Sequence, residues 1–314
     1  MTTVLAPPPR RNTAPARPAA ARSRRGAGLR REFLGLVFLT PALVIFGLFS
    51  WWPILRGLLI SFQQTNLVDP AVWVGLQNFQ AVLSDPLVGT ALWNTLLFVG
   101  LGLLIGFPAP IVLAAIMSTV RRGGAVFRVV VYLPVVVPPV VAILLWKWFY
   151  DPGTGLFNQL LGLVGLGPYP WLQSSQTAML SLVLEATWAG MGGAALIYLA
   201  AMTGVPAELY EAAESDGAGI WRRIWHVLLP QLRPVIGLLL LLQLIGTIQV
   251  FTEPYIFTQG GPDNATVTVL LLIFRYAFQE GEYGQAAALS VLLALVLAVL
   301  SAGYLRLTRS WSTT

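Results

Sequence analysis

Apolar runs of about twenty residues recur along this chain, and nothing else in it narrows the possible folds so sharply. A helix of roughly 20 residues crosses the hydrocarbon core of a bilayer, since each residue adds about 1.5 Å towards a thickness of about 30 Å. Six such runs are read, at about 33–52, 90–117, 127–148, 178–201, 235–257 and 284–305. Of the 314 residues, 56% are hydrophobic and only 10% charged, and mean hydropathy is +0.74. No soluble globular domain needs that balance. The expected fold class is all-α, a polytopic membrane protein with six transmembrane helices.

A net charge of +6 and an isoelectric point near 10 raise a nucleic-acid partner, and the placement of the charges rejects it. Eight arginines, Arg10 to Arg31, precede the first run. Arg121, Arg122 and Arg128 flank the second loop, Arg222, Arg223 and Arg233 lie in the fourth, and Arg306 and Arg309 end the chain. With six spans all of these fall on one side, leaving Arg56, Lys147 and Arg275 for the other. That is the positive-inside pattern, and it predicts both termini in the cytoplasm.

The chain has no cysteine and one histidine, so it offers no thiolate nucleophile and no zinc–cysteine site. No metal site and no catalytic constellation is read. Residues 1–31, rich in Pro, Ala and Arg, form an expected disordered basic cytoplasmic tail, too long and too arginine-rich for a typical signal peptide. Segment 32–89 is read as the first transmembrane helix and an outer segment. A five-helix core follows at 90–306, with a cytoplasmic loop at 203–233, and 307–314 is a short cytoplasmic tail.

Pro108 and Pro110 sit near the middle of the second run, and Pro134, Pro138 and Pro139 in the third. Each proline removes a backbone donor, so both spans are expected to kink, whether for packing or to line a path. Gly102 and Gly106 form a small-xxx-small pair suited to close helix contact. Segment 267–278 is apolar but too short to cross and reads as an outer interfacial element. Asp85 and Asp151 each precede a proline and read as turn formers.

One polar insert stands between two long apolar runs: Glu211-Ala212-Ala213-Glu214-Ser215-Asp216-Gly217, followed by Val227-Leu228-Leu229-Pro230. Pro206 suits a first helical turn, Glu208 and Glu211 sit near its positive end, and Gly217 can end it. Leu209, Ala212 and Ala213 make a low surface, with Glu211, Glu214 and Asp216 as acceptors. A second helix is expected over 219–229, with Arg222, Arg223 and His226 on its wet side and Trp221 and Trp225 at headgroup level. Periodicity alone leaves open an ordinary interfacial loop.

The spacing Glu-Ala-Ala, three residues, Gly, nine residues, then aliphatic-x-Leu-Pro resembles the cytoplasmic signature of ABC importer permeases. Here it is Glu211-Ala212-Ala213, Gly217, Val227, Leu229 and Pro230, with valine where isoleucine is commoner. The likeness continues through 73–79 (Trp-Val-Gly-Leu-Gln-Asn-Phe), Asn94-Thr95, Leu133-Pro134 to Pro139, Trp148, Asp151-Pro152, Gly155 and Asn158. Thr258-Gln259-Gly260-Gly261-Pro262 with Thr266 is similar to the outer loop of the carbohydrate-uptake branch. A single span before a five-span core looks like the first of that branch's two permeases, the maltose and glycerol-phosphate type.

The resemblance implies a type I ABC importer permease fold in a bacterial cytoplasmic membrane, and a subunit rather than a whole machine. The implied partners are a second homologous permease, two copies of an ATP-binding subunit and an extracytoplasmic sugar-binding protein. The helix at 206–217 would be the coupling helix, with Glu208, Glu211, Ala212, Ala213, Asp216, Gly217, Leu229 and Pro230 as its contact set. ATP and Mg would be used by the partner. No phosphate-loop motif occurs in this chain, and its only lysine is Lys147, so no cofactor bound by the chain itself and no ATPase activity of its own are expected.

A sugar pathway needs aromatic faces and neutral or acidic hydrogen-bonding groups, and polar residues inside spans are costly enough to suspect first. The candidates are Glu185, Trp188, Gln243, Gln249, Glu253 and Tyr255; Gln249 and Glu253, four apart, are expected to share a helix face. Contacts with a sister permease or with other helices would explain the same residues. An ion-gradient-driven secondary transporter is the alternative; it would want more ionisable groups deep in the spans than Glu185. A membrane-embedded enzyme has almost nothing to work with.

Overall fold

The structure, a computed structural model, describes residues 37–120 and 123–308, with the backbone alone at 220 and 221. The basic tail 1–31, Arg121, Arg122, the side chain of Trp221 and everything from Arg309 lie outside the described residues. The chain divides into two units, Met1–Arg56 and Gly57–Thr314.

Among the described residues five helices are long and apolar enough to cross a membrane: α1 (Val37–Ile60), then α3 (Pro86–Thr119), α7 (Ala178–Thr203), α9 (Ile224–Ile248) and α12 (Tyr283–Thr308). A sixth crossing would need α4 (Gly124–Val136) and α5 (Pro139–Phe149) together, and these are bent by 99°. The expected straight run at 127–148 is therefore corrected to two short helices. Val137 and Pro138 both take extended backbone (ψ 129° and 132°), because the residue before a proline is driven out of the helical region.

Three other prolines leave their helices unbroken. In α1, α3 and α9, π turns at Gly47–Trp51, Gly102–Gly106 and Ile224–Leu228 each end two residues before a proline, Pro53, Pro108 or Pro230. A proline ring collides with the carbonyl four residues back. That residue is Phe49, Leu104 or His226, the middle of each π turn, where the widened backbone relieves the clash. Trp52, Phe107 and Leu229 donate instead to the carbonyl five residues back. Hence α1 runs on through Trp52 to Ile60 rather than ending at 52. By the same device the expected separate helix at 219–229 is continuous with the fifth span through Ile220–Arg223 and the π turn.

The fifth span also ends early. Backbone at Gln249 (φ −97°, ψ 23°) and Phe251 (φ −136°, ψ −49°) is not helical, and α10 (Thr252–Thr258) starts afresh. Gln249 and Glu253 thus stand on different elements and share no helix face.

Between the spans, strands β1 (Gln63–Gln64) and β2 (Val72–Trp73) pair antiparallel, and α2 is Gln77–Ser84. Asp85 does form a turn: its carboxylate caps α3 by accepting from Leu87 N–H at 2.7 Å and takes the hydroxyl of Tyr276. Asp151 does likewise before α6 (Leu156–Gly162). Hydrogen bonds from the backbone and hydroxyl of Thr154, and from Gly153, hold its carboxyl below the ordinary range. The short segment α11 (Val269–Gln279) packs into the protein: Val269, Leu271, Leu272 and Tyr276 are buried.

Three apolar clusters form the core of the second unit. Val82, Val88, Ala91, Leu272, Ala288 and Leu289 join α2, α3, α11 and α12. Phe98, Ile143, Tyr150, Leu182, Val250 and Phe257 join α3, α5, α7 and α10. Ala114, Met117, Ala195, Tyr198, Met202 and Leu232 join the far ends of α3 and α7 to α9. Among the spans α7 is the most enclosed, with 33% of its apolar window buried against 17–22% for α3, α9 and α12. The apolar surface left open on the others suits lipid or a second subunit, not water.

Candidate coupling helix and substrate cavity

Helix α8 (Ala207–Ser215) connects α7 to α9 and buries none of its residues. Pro206 is its N-cap, with extended backbone (ψ 133°), one position earlier than expected. Its end is a Schellman closure: Ala218 N–H donates to Ala213 O (2.9 Å) and Gly217 N–H to Glu214 O (2.9 Å). Gly217 takes φ +72°, which a side chain disfavours by about 1–2 kcal/mol. Glu208, Glu211, Ala212, Asp216 and Gly217 are exposed and Ala213 half-buried. Glu214 pairs with Arg223 at 3.4 Å, tying α8 to the turn that leads into α9. Leu229 and Pro230 are half-buried, just after the π turn of α9. His226 bonds Arg222 O through Nδ1 at 3.1 Å.

A cavity of about 280 Å³ lies between α3, α7 and α9. Its wall includes Phe98, Gly106, Thr187, Gly190, Gln243 and Thr247, and every lining residue is uncharged. The Gly102–Gly106 pair does allow close approach: a Cβ at Gly106 would come within 3.1 Å of Thr187 Oγ1 and 3.3 Å of Gln243 Nε2. Gln243 Nε2 donates to Gly102 O at 2.9 Å, a carbonyl that also serves the π turn. The Tyr198 hydroxyl, on the same wall, is buried without a partner among the described residues. A buried hydroxyl is rarely left so unless water or a ligand completes it.

Of the six pathway candidates, Gln243 lines this cavity. Glu185, Trp188 and Glu253 gather on the other side of α7. There Trp188 meets Trp146 (ring centroids 5.5 Å apart), and Glu253 is close enough to Glu185 to interact electrostatically. Gln249 is exposed and folds back to Ile245 O at 3.1 Å. Tyr255 stacks on Phe251 at 5.2 Å and meets Phe274 edge-on at 5.0 Å. The cavity residues Thr187, Gly190, Tyr198 and Thr247 were not picked out from sequence, because within an apolar span they read as ordinary packing.

The loop 258–268 is held from several directions. Asn94 Nδ2 donates to Asn264 O (2.8 Å) and Val267 O (3.0 Å), and Thr95 Oγ1 accepts from Val269 N–H (3.0 Å). Arg275 reaches Gln259 O (2.7 Å) and Asn264 Oδ1 (3.2 Å).

Apolar spans around an uncharged cavity, with one polar helix standing out between two of them, define a membrane-embedded transport subunit. Residues 106–311 match the family described as binding-protein-dependent transport system inner membrane component, and the chain belongs to that family. It is 34% identical over 277 residues to a probable ABC transporter permease protein, YurN, of Bacillus subtilis, covering 87% of this chain and 94% of the relative. The arabinooligosaccharides transport system permease protein AraP of the same organism is 32% identical over 278 residues, covering 88% of each. The sn-glycerol-3-phosphate permease protein UgpA of Yersinia enterocolitica is 34% identical over 277 residues, covering 86% and 92%. Among solved structures, a bacterial ABC transporter involved in import of the acidic polysaccharide alginate superposes with TM-score 0.81 at 28% identity, over 92% of this chain and 99% of that one. The type I ABC importer permease fold is thereby shown.

Proposed function

We propose that this chain is the permease subunit through which an ATP-driven importer moves a sugar or oligosaccharide. A separate ATPase pair, using ATP and Mg, drives it through α8, and an extracytoplasmic binding protein delivers the cargo. The observation that carries the reading is α8 itself. A nine-residue helix that buries nothing, yet is fixed at its end by two backbone bonds, is built to be covered by another protein. Its small face, Leu209, Ala212 and Ala213, suits a groove, and Glu208, Glu211 and Asp216 supply acceptors at the rim. Relatives named for arabinooligosaccharides and for trehalose and maltose support a sugar cargo. A solved alginate transporter in complex with its periplasmic protein supports delivery by a binding protein. The arginine distribution supports a multi-pass protein of the bacterial cytoplasmic membrane with both termini and α8 inside.

The test is co-purification of the tagged chain from its native membrane. A second permease and an ATP-binding subunit should come with it, and Glu211→Lys should lose the ATP-binding subunit while keeping the permease. Recovery of a homo-oligomer without an ATPase would refute the proposal.

A further inference from the structure

Resting on that reading, we infer that Trp146 and Glu185 form a second ligand-contacting subsite, across α7 from the main cavity, that takes a hydroxyl of an uncharged sugar unit. Two buried polar atoms without a hydrogen-bond partner among the described residues point to it: Trp146 Nε1, a donor, and Glu185 Oε2, an acceptor. Glu185 is 2% exposed, so water does not freely complete its second oxygen, and a buried polar atom is rarely left bare.

The two groups lie on facing helices. Trp146, on α5, packs between Tyr150 (5.5 Å) and Trp188 (5.5 Å). Tyr150 donates to Ser181 O at 2.8 Å, and Ser181, Glu185 and Trp188 mark one face of α7 at helical spacing. The indole therefore straddles the turn of α7 that carries Glu185. A sugar hydroxyl matches this pair of atoms, since one oxygen can accept from Trp146 Nε1 while its hydrogen goes to Glu185. The Trp188 ring beside them offers a face for sugar C–H groups.

The chemical class follows from the charges. Every residue lining the main cavity is uncharged, and the charged group facing Glu185 is another acid, Glu253. Lys147, on α5, is exposed and reaches Ile256 O at 3.4 Å. A uronate or phosphate entering here would lose its hydration with no cation to replace it. A non-helical break at 249–251 separates α10 from α9.

The experiment is uptake by the full complex, with its binding protein, in proteoliposomes supplied with ATP. The probes are maltose, trehalose, arabinotriose and digalacturonate. Trp146→Phe removes the N–H and keeps the ring; Glu185→Gln keeps the shape. Each should raise the half-saturating concentration of the neutral probe at least fivefold, with maximal rate within twofold of the parent. Unchanged half-saturation in both, at normal yield, would assign the pair to an ordered water and overturn the subsite. Digalacturonate carried as well as the neutral sugars would overturn the uncharged class. If Glu185→Gln does not assemble, the Trp146→Phe value decides alone. Failure of all probes to enter on ATP addition would instead bring down the importer reading, and this inference with it.

Discussion

Gln243 in α9 donates its side-chain amide to the carbonyl of Gly102 in α3, 2.9 Å away and 141 residues earlier in the chain. Gly102 O also accepts from Phe107 N–H at 2.8 Å, closing the π turn that precedes Pro108. One carbonyl on the cavity wall thus holds a proline-induced widening of α3 and its contact with α9 together.

Gln243→Leu should remove that tie at nearly constant volume. The lost bond to a half-buried carbonyl is worth about 1 kcal/mol, so the melting temperature of the purified complex should fall modestly. Sugar uptake should fall much further if the cavity carries cargo. Equal uptake by mutant and parent would take Gln243 off the pathway.

Gly217→Pro attacks the end of α8. Proline cannot adopt φ +72° and lacks the N–H that bonds Glu214 O. The chain should still insert, as judged by its level in washed membranes, while ATP-dependent uptake is lost. Gly217→Ala should give an intermediate loss, since alanine pays only about 1–2 kcal/mol for the left-handed backbone.

Gly192 and Gly190 separate packing from cargo. A Cβ at Gly192 would overlap the carbonyl of Val131 in α4, whereas a Cβ at Gly190 meets nothing within 4 Å. Gly192→Val should reduce the amount of assembled complex by driving α4 from α7. Gly190→Val should leave assembly intact and narrow the cavity, seen as slower uptake of the larger of two sugars. Similar yields for both variants would contradict the α4–α7 contact.

Asn94→Leu should loosen the loop 258–268, because its amide bonds two backbone carbonyls there. The expected cost is about 1–3 kcal/mol per carbonyl left buried. Hydrogen exchange at Val267 to Val269 should rise above the parent, and an unchanged exchange rate would show that the other contacts hold the loop without Asn94. By contrast Glu214→Ala should shift stability by under about 1 kcal/mol, since the Glu214 carboxylate itself is exposed to solvent.

The existence and rough position of the spans were legible because lipid imposes a length on any apolar helix. α7 and α12 lie within three residues of their expected ends. The prolines were legible as perturbations but not as to kind. Whether a proline is absorbed by a π turn, as at Pro108, or breaks the helix by 99°, as at Pro138 and Pro139, depends on what packs against it. Helix α8 was readable because Pro206, Gly217 and the acidic residues all act within two turns. How the pathway candidates divide between sites was not, because polarity inside a span does not say which face a side chain takes. Gln243 lines the cavity, Glu185 and Trp188 face α5, and Gln249 turns back on its own helix.

By itself the sequence determined what local chemistry decides: the apolar lengths, the arginine asymmetry and the polar helix with its glycine end. Only the tertiary structure decided which polar atoms meet. The carbonyl of Gly102 finds Gln243, the amide of Asn94 finds the 264–267 backbone, and Trp146 Nε1 and Glu185 Oε2 are left buried with no hydrogen-bond partner among the described residues. Those outcomes depend on the rotation of each helix about its own axis, which is set by contacts far apart in the chain and leaves no periodic signal in a segment that is apolar all round.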